Sequence, residues 1–252
     1  MPRPRSSVSL TVAAALLCLA TACHADEAPA TERTELGIMG TIPIYWGESG
    51  DFGEVLSGSG SAHWARAQLE KDFRLEPLDV LDAASLDDLD NLLLAQPRAL
   101  SPAENVALDE WVRGGGHLLL FADPLLTGDS RFAIGDRRRP QDVILLSPIL
   151  DHWGLTLKFD DEQEPGFTVV LAAGQPIPVN LPGTLTAHDG EGSCSLLAGD
   201  VAAWCSIERG KVVVLADAAL LDLHSPHPAA AGALKRLVEL SFDKTGTARD
   251  AI

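Results

Sequence analysis

Basic residues are scarce in this chain: 19 Lys and Arg stand against 36 Asp and Glu, a formal net charge of −17. That balance argues against nucleic acid and an anionic membrane surface as partners, since both reward positive charge. Aromatics make up only 5% of the residues, and the tryptophans fall near the apolar faces or ends of inferred elements, which reads as core packing. Trp46 is the exception, a candidate crevice residue beside a long acidic loop. No glycine-rich run has dinucleotide or P-loop spacing, no histidine and cysteine pattern has zinc spacing, and no Ser/His/Asp or Cys/His signature is evident. Internal repeats and low-complexity domains are absent. Beyond the first 22 residues no segment is apolar for long enough to span a bilayer.

What is present begins with an export signal. Arg3 and Arg5 precede a short apolar segment, residues 8–22, and Ala20-Thr21-Ala22 has the small-residue pattern of a cleavage site. Residues 1–22 are therefore expected to be a signal peptide, and the protein to be periplasmic or membrane-anchored facing the periplasm. Cys23 follows at once, in a stretch that resembles a bacterial lipobox with Ala20 where leucine is preferred. Cys23 is a candidate lipidation site, and anchoring and release as a soluble protein both stay open. Residues 23–35 read as a polar tether and 36–252 as a single α/β domain.

Residues 91–124, NLLLAQPRALSPAENVALDEWVRGGGHLLLFADP, organise that domain. Leu92 to Ala95 is a short apolar run suited to a strand buried on both faces. Ser101, Pro102 and Glu104 open a helix with a capping box. Leu108, Trp111 and Val112 make its inner stripe, while Asp109 and Glu110 are expected to face water. Gly114-Gly115-Gly116 ends it, and residues 117–122 form the next buried strand. Strand, helix and strand in this order imply a parallel pair with a right-handed crossover.

Around this unit the pattern continues. A first strand is expected over 36–46, a glycine- and acid-rich loop over 47–60 with Glu48, Asp51 and Glu54, of which Glu48 and Asp51 are candidate crevice or ligand residues, and a helix over 61–73. A strand over 74–81 and one helical turn over 85–90 follow. Residues 125–142 read as an irregular insertion carrying Arg137, Arg138 and Arg139, either paired internally or a partner contact. A helix capped at Ser147-Pro148 should end at Gly154. An antiparallel β-rich insertion is expected over about 160–207, its first pieces broken by Pro176, Pro178 and Pro182. The last buried strand falls at 211–217 and a closing helix at 228–242. The whole reads as a flavodoxin-like three-layer sandwich with a mainly parallel sheet. If Gly199-Asp200 is the turn of the 193–207 hairpin, Cys194 faces Cys205 and an exported protein would oxidise the pair.

Three stretches, LLLAQPRALSPAENVALDEWVRGGGHLLLFADPLL, SPILDHWGLTLKFDD and GKVVVLADAALL, resemble in that order the exported domain of GldG-type auxiliary proteins of ABC transport systems. In layout the domain is similar to class I glutamine-amidotransferase-like folds. The resemblance implies a non-catalytic exported binding or interaction module, with an ABC-type permease or other envelope protein as partner. The membrane helix that usually ends GldG-type proteins has no counterpart here, so any anchoring would have to come from Cys23.

In amidotransferase-like folds the nucleophile follows the strand matched by residues 117–122. Here the turn reads Phe121-Ala122-Asp123-Pro124, without cysteine or serine. No catalytic residue, metal or cofactor is therefore expected. The competing reading is a carboxylate- or metal-dependent hydrolase in a crevice at Asp123 and Asp217, both at ends of buried strands. Asp222, His224 and His227 follow close behind and would supply further ligands. The structural reading is that these aspartates bind nearby backbone N–H groups.

Overall fold

Three apolar strands fix the centre of the molecule: Asn91–Ala95 (β3), His117–Phe121 (β4) and Gly210–Leu215 (β11). β3 and β11 are buried along their whole length, as is β4 from Leu118 onward, which suits parallel strands covered on both faces. Thr34–Gly40 (β1), Phe73–Pro77 (β2), Ser193–Leu197 (β9) and Ala202–Ile207 (β10) complete one sheet in the order β2-β1-β3-β4-β11-β10-β9. The first five are parallel and the last two antiparallel. This is the flavodoxin-like 2-1-3-4-5 order, with β11 in fifth place. The computed structural model describes residues 33–48, 62–172, 175–222, 224 and 226–243. The expected signal peptide, Cys23, most of the tether, Asp51 and Glu54 lie outside the described residues.

Strand alternation sends side chains into two cores. Leu36, Ile38, Leu93, Leu119, Val213 and Leu215 pack against helices Trp64–Leu69 (α1) and Ala230–Phe242 (α5). On the opposite face, Leu92, Leu94, Leu118, Leu120, Val212 and Val214 meet Ala83–Leu86 (α2), Pro102–Arg113 (α3) and Ser147–Trp153 (α4). Helices therefore cover both faces of the sheet.

Helix α3 begins as its sequence predicts. Ser101 Oγ accepts the Glu104 N–H at 3.2 Å, and the Glu104 carboxylate accepts the Ser101 N–H at 2.9 Å. Two hydrogen bonds from Arg98 hold the Glu104 carboxyl down at about pKa 2. At the far end the left-handed residue is Gly115, with φ 116°, and a Cβ on Gly116 would lie 2.4 Å from the Trp111 ring. Asp109 does not face water. It accepts Trp153 Nε1 at 2.8 Å and Arg113 Nε at 2.7 Å, joining α3 to α4.

Other expectations are corrected. β1 takes in Thr34 and Glu35 from the expected tether and stops at Gly40, because the chain turns against β3 there. A Cβ on Gly40 would sit 2.0 Å from the Ala95 carbonyl oxygen. α1 is a short helix that starts only at Trp64. Ser147 is the first helical residue of α4 and no side chain caps that helix. The β-rich stretch divides into three: β9 and β10 extend the main sheet, Leu155–Lys158 (β5) pairs with Thr184–Ala187 (β8), and Thr168–Ala172 (β6) pairs with Gln175–Val179 (β7).

Cys194 pairs with Cys205 across β9 and β10, with Cα atoms 4.1 Å apart, and the two form a disulfide. The register is centred between Gly199 and Asp200 as expected. The last paired residues are Leu197 and Ala202, so four residues make the turn, and Ala198, Gly199 and Asp200 all have positive φ. Closing so short a loop is worth about 3 kcal/mol. The double substitution Cys194→Ser with Cys205→Ala should lower the denaturant midpoint by a corresponding amount. Protein purified under oxidising conditions should show no free thiol at either position; two free thiols would refute the pairing.

Candidate functional site at the carboxyl edge of the sheet

Parallel strands β1, β3, β4 and β11 all end at one edge, so the segments after Gly40, Ala95, Phe121 and Leu215 gather there. In this strand order a ligand crevice opens between the ends of β1 and β3. Here the protein fills it. Gln96, buried and left-handed at φ 49°, receives Thr41 Oγ1 on its carbonyl at 2.6 Å. Its side-chain Nε2 donates to the carbonyls of Asp123 (2.9 Å) and Gln141 (3.0 Å), and its Oε1 accepts the Asp123 N–H at 2.8 Å. A left-handed non-glycine residue costs on the order of 1 kcal/mol, which this clamp offsets. The sequence reading missed Gln96. Its signal is a polar residue directly after an apolar strand and directly before Pro97.

Asp123 and Asp217 come together, and both are fully buried. Asp123 Oδ1 accepts the Leu125 N–H at 2.8 Å and Oδ2 accepts the Ala218 N–H at 2.9 Å. Asp217 Oδ1 accepts the Ala219 N–H at 2.7 Å and Oδ2 accepts the Asn180 N–H at 2.9 Å. Every carboxylate oxygen of the pair therefore has a backbone donor. Burial pushes the Asp123 carboxyl up to about 6. Burial, with the charge of Asp123 beside it, pushes Asp217 well above the usual carboxylate range.

A cleft lies over this pair, lined by Ile42, Pro43, Glu48, Leu126, Asp129 and Asp222 among others, with Ala218 and Ala219 in its wall. Its interior volume is about 30 Å³, about one water molecule's share of the liquid. Glu48 is buried against it, accepting Ser130 Oγ at 2.6 Å and the Arg131 N–H at 3.1 Å, with His224 Nε2 3.6 Å away. Asp222 Oδ1 accepts the His224 N–H at 2.8 Å, and its carbonyl accepts Trp64 Nε1 at 2.9 Å. The structure thus brings Glu48, Asp222 and His224 to one place. His63 sits beneath them, unremarked in the sequence. Its Nδ1 accepts the Ala65 N–H at 3.1 Å as the cap of α1, so Nε2 carries the proton that goes to the Leu221 carbonyl at 2.8 Å. Burial lowers its pKa to about 4 and keeps the ring neutral.

The remaining candidates lie elsewhere. Trp46 is 62% exposed, packed edge-on against Tyr45, and is not part of the cleft lining. His227 Nδ1 accepts the Ala229 N–H and its ring meets Phe167. Among the described residues, no three His, Cys, Asp or Glu side chains are grouped to hold a metal ion. Arg138 is spent on Asp136 and lies over the Phe132 ring; Arg139 binds Asp142 and the Phe132 carbonyl. Arg137 is exposed. Among the described residues a larger hollow, about 430 Å³ between α2 and the end of α3, lies at the opposite edge of the sheet.

Comparison with known proteins gives one family. The family described as an ABC-type uncharacterized transport system, of auxiliary components, matches residues 56–183, half of the chain. No curated protein matches. Among solved structures, the mmIFT52 N-terminal domain is similar at 14% identity and a TM-score of 0.54, over 84% of this chain and 98% of that one. That likeness shows the fold. A ThuA-like protein from Bacteroides uniformis is more distant, at 8% identity and a TM-score of 0.47 over 88% of this chain and 97% of that one. A β-galactosidase from Rahnella sp. R3 has 12% identity and a TM-score of 0.45; 82% of this chain is covered, and it spans 31% of the galactosidase.

His63 and the aspartate pair give opposite pH dependences. His63 falls from 6.5 to about 4, so its contribution is full above about pH 6.5 and lost as pH falls toward 4. Asp123 rises from 3.8 to about 6, so its contribution is present below about pH 4 and lost as pH climbs through 6. His63→Asn keeps a capping acceptor and removes the ring's titration. Its denaturant midpoint should be lower overall, fall less on acidification from pH 6.5 to 4 than wild type, and peak at a lower pH. An unchanged pH profile would contradict the buried neutral ring.

Proposed function

Because the chain belongs to the family of auxiliary components of ABC-type transport systems, we propose that it serves such a system as a non-catalytic, exported binding module. Its partner is an ABC-type permease or another envelope protein, and its place is the periplasm, free or held to the membrane through Cys23. The observation that carries the non-catalytic reading is the sealing of Asp123 and Asp217. A hydrolase needs a carboxylate that reaches substrate, water or a metal ion. These two have no exposed surface, and each oxygen already accepts a backbone N–H. The Gln96 clamp closes the neighbouring crevice as well.

The acidic balance of the chain suits a protein partner better than nucleic acid or an anionic bilayer. Co-expression of the tagged full chain with the ATPase and permease of an ABC-type system from the same genome should yield a complex that survives gentle detergent extraction. Failure of the three to co-purify, with each well expressed, would remove the transporter from the account. Titration with zinc, magnesium and calcium should show no tight site. Tight metal binding lost in Asp123→Asn with Asp217→Asn, together with a hydrolytic turnover lost alongside, would establish the hydrolase instead. Cys23→Ser should leave the protein in the soluble periplasmic fraction if the anchor is a lipid.

A further inference from the structure

We propose that the free edge of β6 receives an extended strand from a partner protein, apolar at alternate positions and basic beyond its C-terminal end. The ribbon of β6 and β7 is two strands wide, so each has an outer edge. Exposed edges are ordinarily guarded by charge or proline. β2, at the edge of the main sheet, carries Arg74, Glu76 and Pro77, and β7 carries Pro176 and Pro178. β6 reads Thr-Val-Val-Leu-Ala, with neither charge nor proline.

The prolines also set the phase of the ribbon. Val169 faces Pro178 and Leu171 faces Pro176, while Thr168, Val170 and Ala172 face Val179, Ile177 and Gln175. Proline has no N–H to give, so the proline pairs are the non-hydrogen-bonded ones. The backbone N–H and C=O groups of Val169 and Leu171 therefore point outward from β6. Among the described residues no backbone acceptor or donor outside the ribbon meets them. The same two residues have exposed side chains, at 51% and 66%, whereas Val170 turns onto the core. One edge thus offers free backbone groups and apolar surface at the same positions, the combination that strand addition uses.

Charge selects the occupant. Asp160, Asp161, Glu162 and Glu164 are exposed just before β6, and among the described residues none has an ion pair. Gln163, which donates to the Pro182 carbonyl, and Gly166, which donates to Asn180, hold this run beside the end of β7. A strand added antiparallel to β6 ends there, so basic residues following its apolar run meet the four carboxylates. A second copy brings the same acids and no compensating bases. The inference stands on the ribbon alone and goes beyond the transporter reading, which its failure would leave untouched.

A fluorescent peptide, TVTVTVKKK, titrated into the full-length chain and followed by anisotropy tests it. Saturable binding is expected, weakened by added salt and about tenfold by either Val169→Pro or Leu171→Lys, each with an unchanged melting profile. A peptide N-methylated at alternate valines, unable to donate to the edge, should bind about tenfold more weakly. Absence of saturable binding to the folded wild type, or equal binding by the N-methylated peptide and by both variants, would overturn the proposal. So would a wild-type dimer in sedimentation that Val169→Pro converts to monomer, since the occupant would then be a second copy.

Discussion

Backbone N–H groups in the loops at the carboxyl edge are buried, and the aspartate pair supplies acceptors for four of them. Asp123 spans Leu125 and Ala218; Asp217 spans Ala219 and Asn180. The turn after β4, the turn after β11 and the end of β7 are thereby tied to one point. An unsatisfied buried donor costs about 1–3 kcal/mol, so the pair replaces a set of losses with charge-assisted bonds. The cost is electrostatic. Burial raises both pKa values, and the charge of Asp123 adds to the rise at Asp217. Raised carboxylates in other proteins often mark catalysis. Here the same shift follows from a structural task, because the groups that shift are closed to solvent.

The rest of the edge follows the same logic. Strand order alone would leave a crevice between β1 and β3, and Gln96, Thr41 and Gln141 occupy it. His63 and Trp64 fasten α1 to the carbonyls of Leu221 and Asp222. Glu48 gathers Ser130, Arg131 and His224. These polar side chains hold one segment of the edge to another. Recognition surfaces are then the parts left over, among them the β6 edge, which has neither charge nor proline and carries exposed apolar side chains at Val169 and Leu171.

Local chemistry was legible where neighbours in sequence are partners in space. The Ser101–Glu104 capping box, the apolar runs of β3, β4 and β11, and the register that faces Cys194 to Cys205 all depend on short spacings. What was hidden depends on distant contacts. Asp109 looks like a surface residue until Trp153, 44 positions later, delivers an indole N–H to it. His63 has no motif, and its partner carbonyl lies 158 residues on. Asp222 and His224 are neighbours in sequence and were suspected together, and only the fold of the edge brings Glu48 to them. The β-rich stretch read as one insertion because its strands are similar in composition; pairing with different partners splits it into ribbons on opposite faces.

The central claim is that the Asp123–Asp217 pair is a sealed structural joint. Carboxyl carbon chemical shifts of the two residues, followed by NMR from pH 3 to pH 9 with and without divalent cations, test it most directly. The account predicts that Asp123 titrates near 6 and Asp217 well above the usual carboxylate range, with neither curve moved by zinc, magnesium or calcium. Titration of both groups near 4, or a displacement of either curve by a divalent cation, would contradict it.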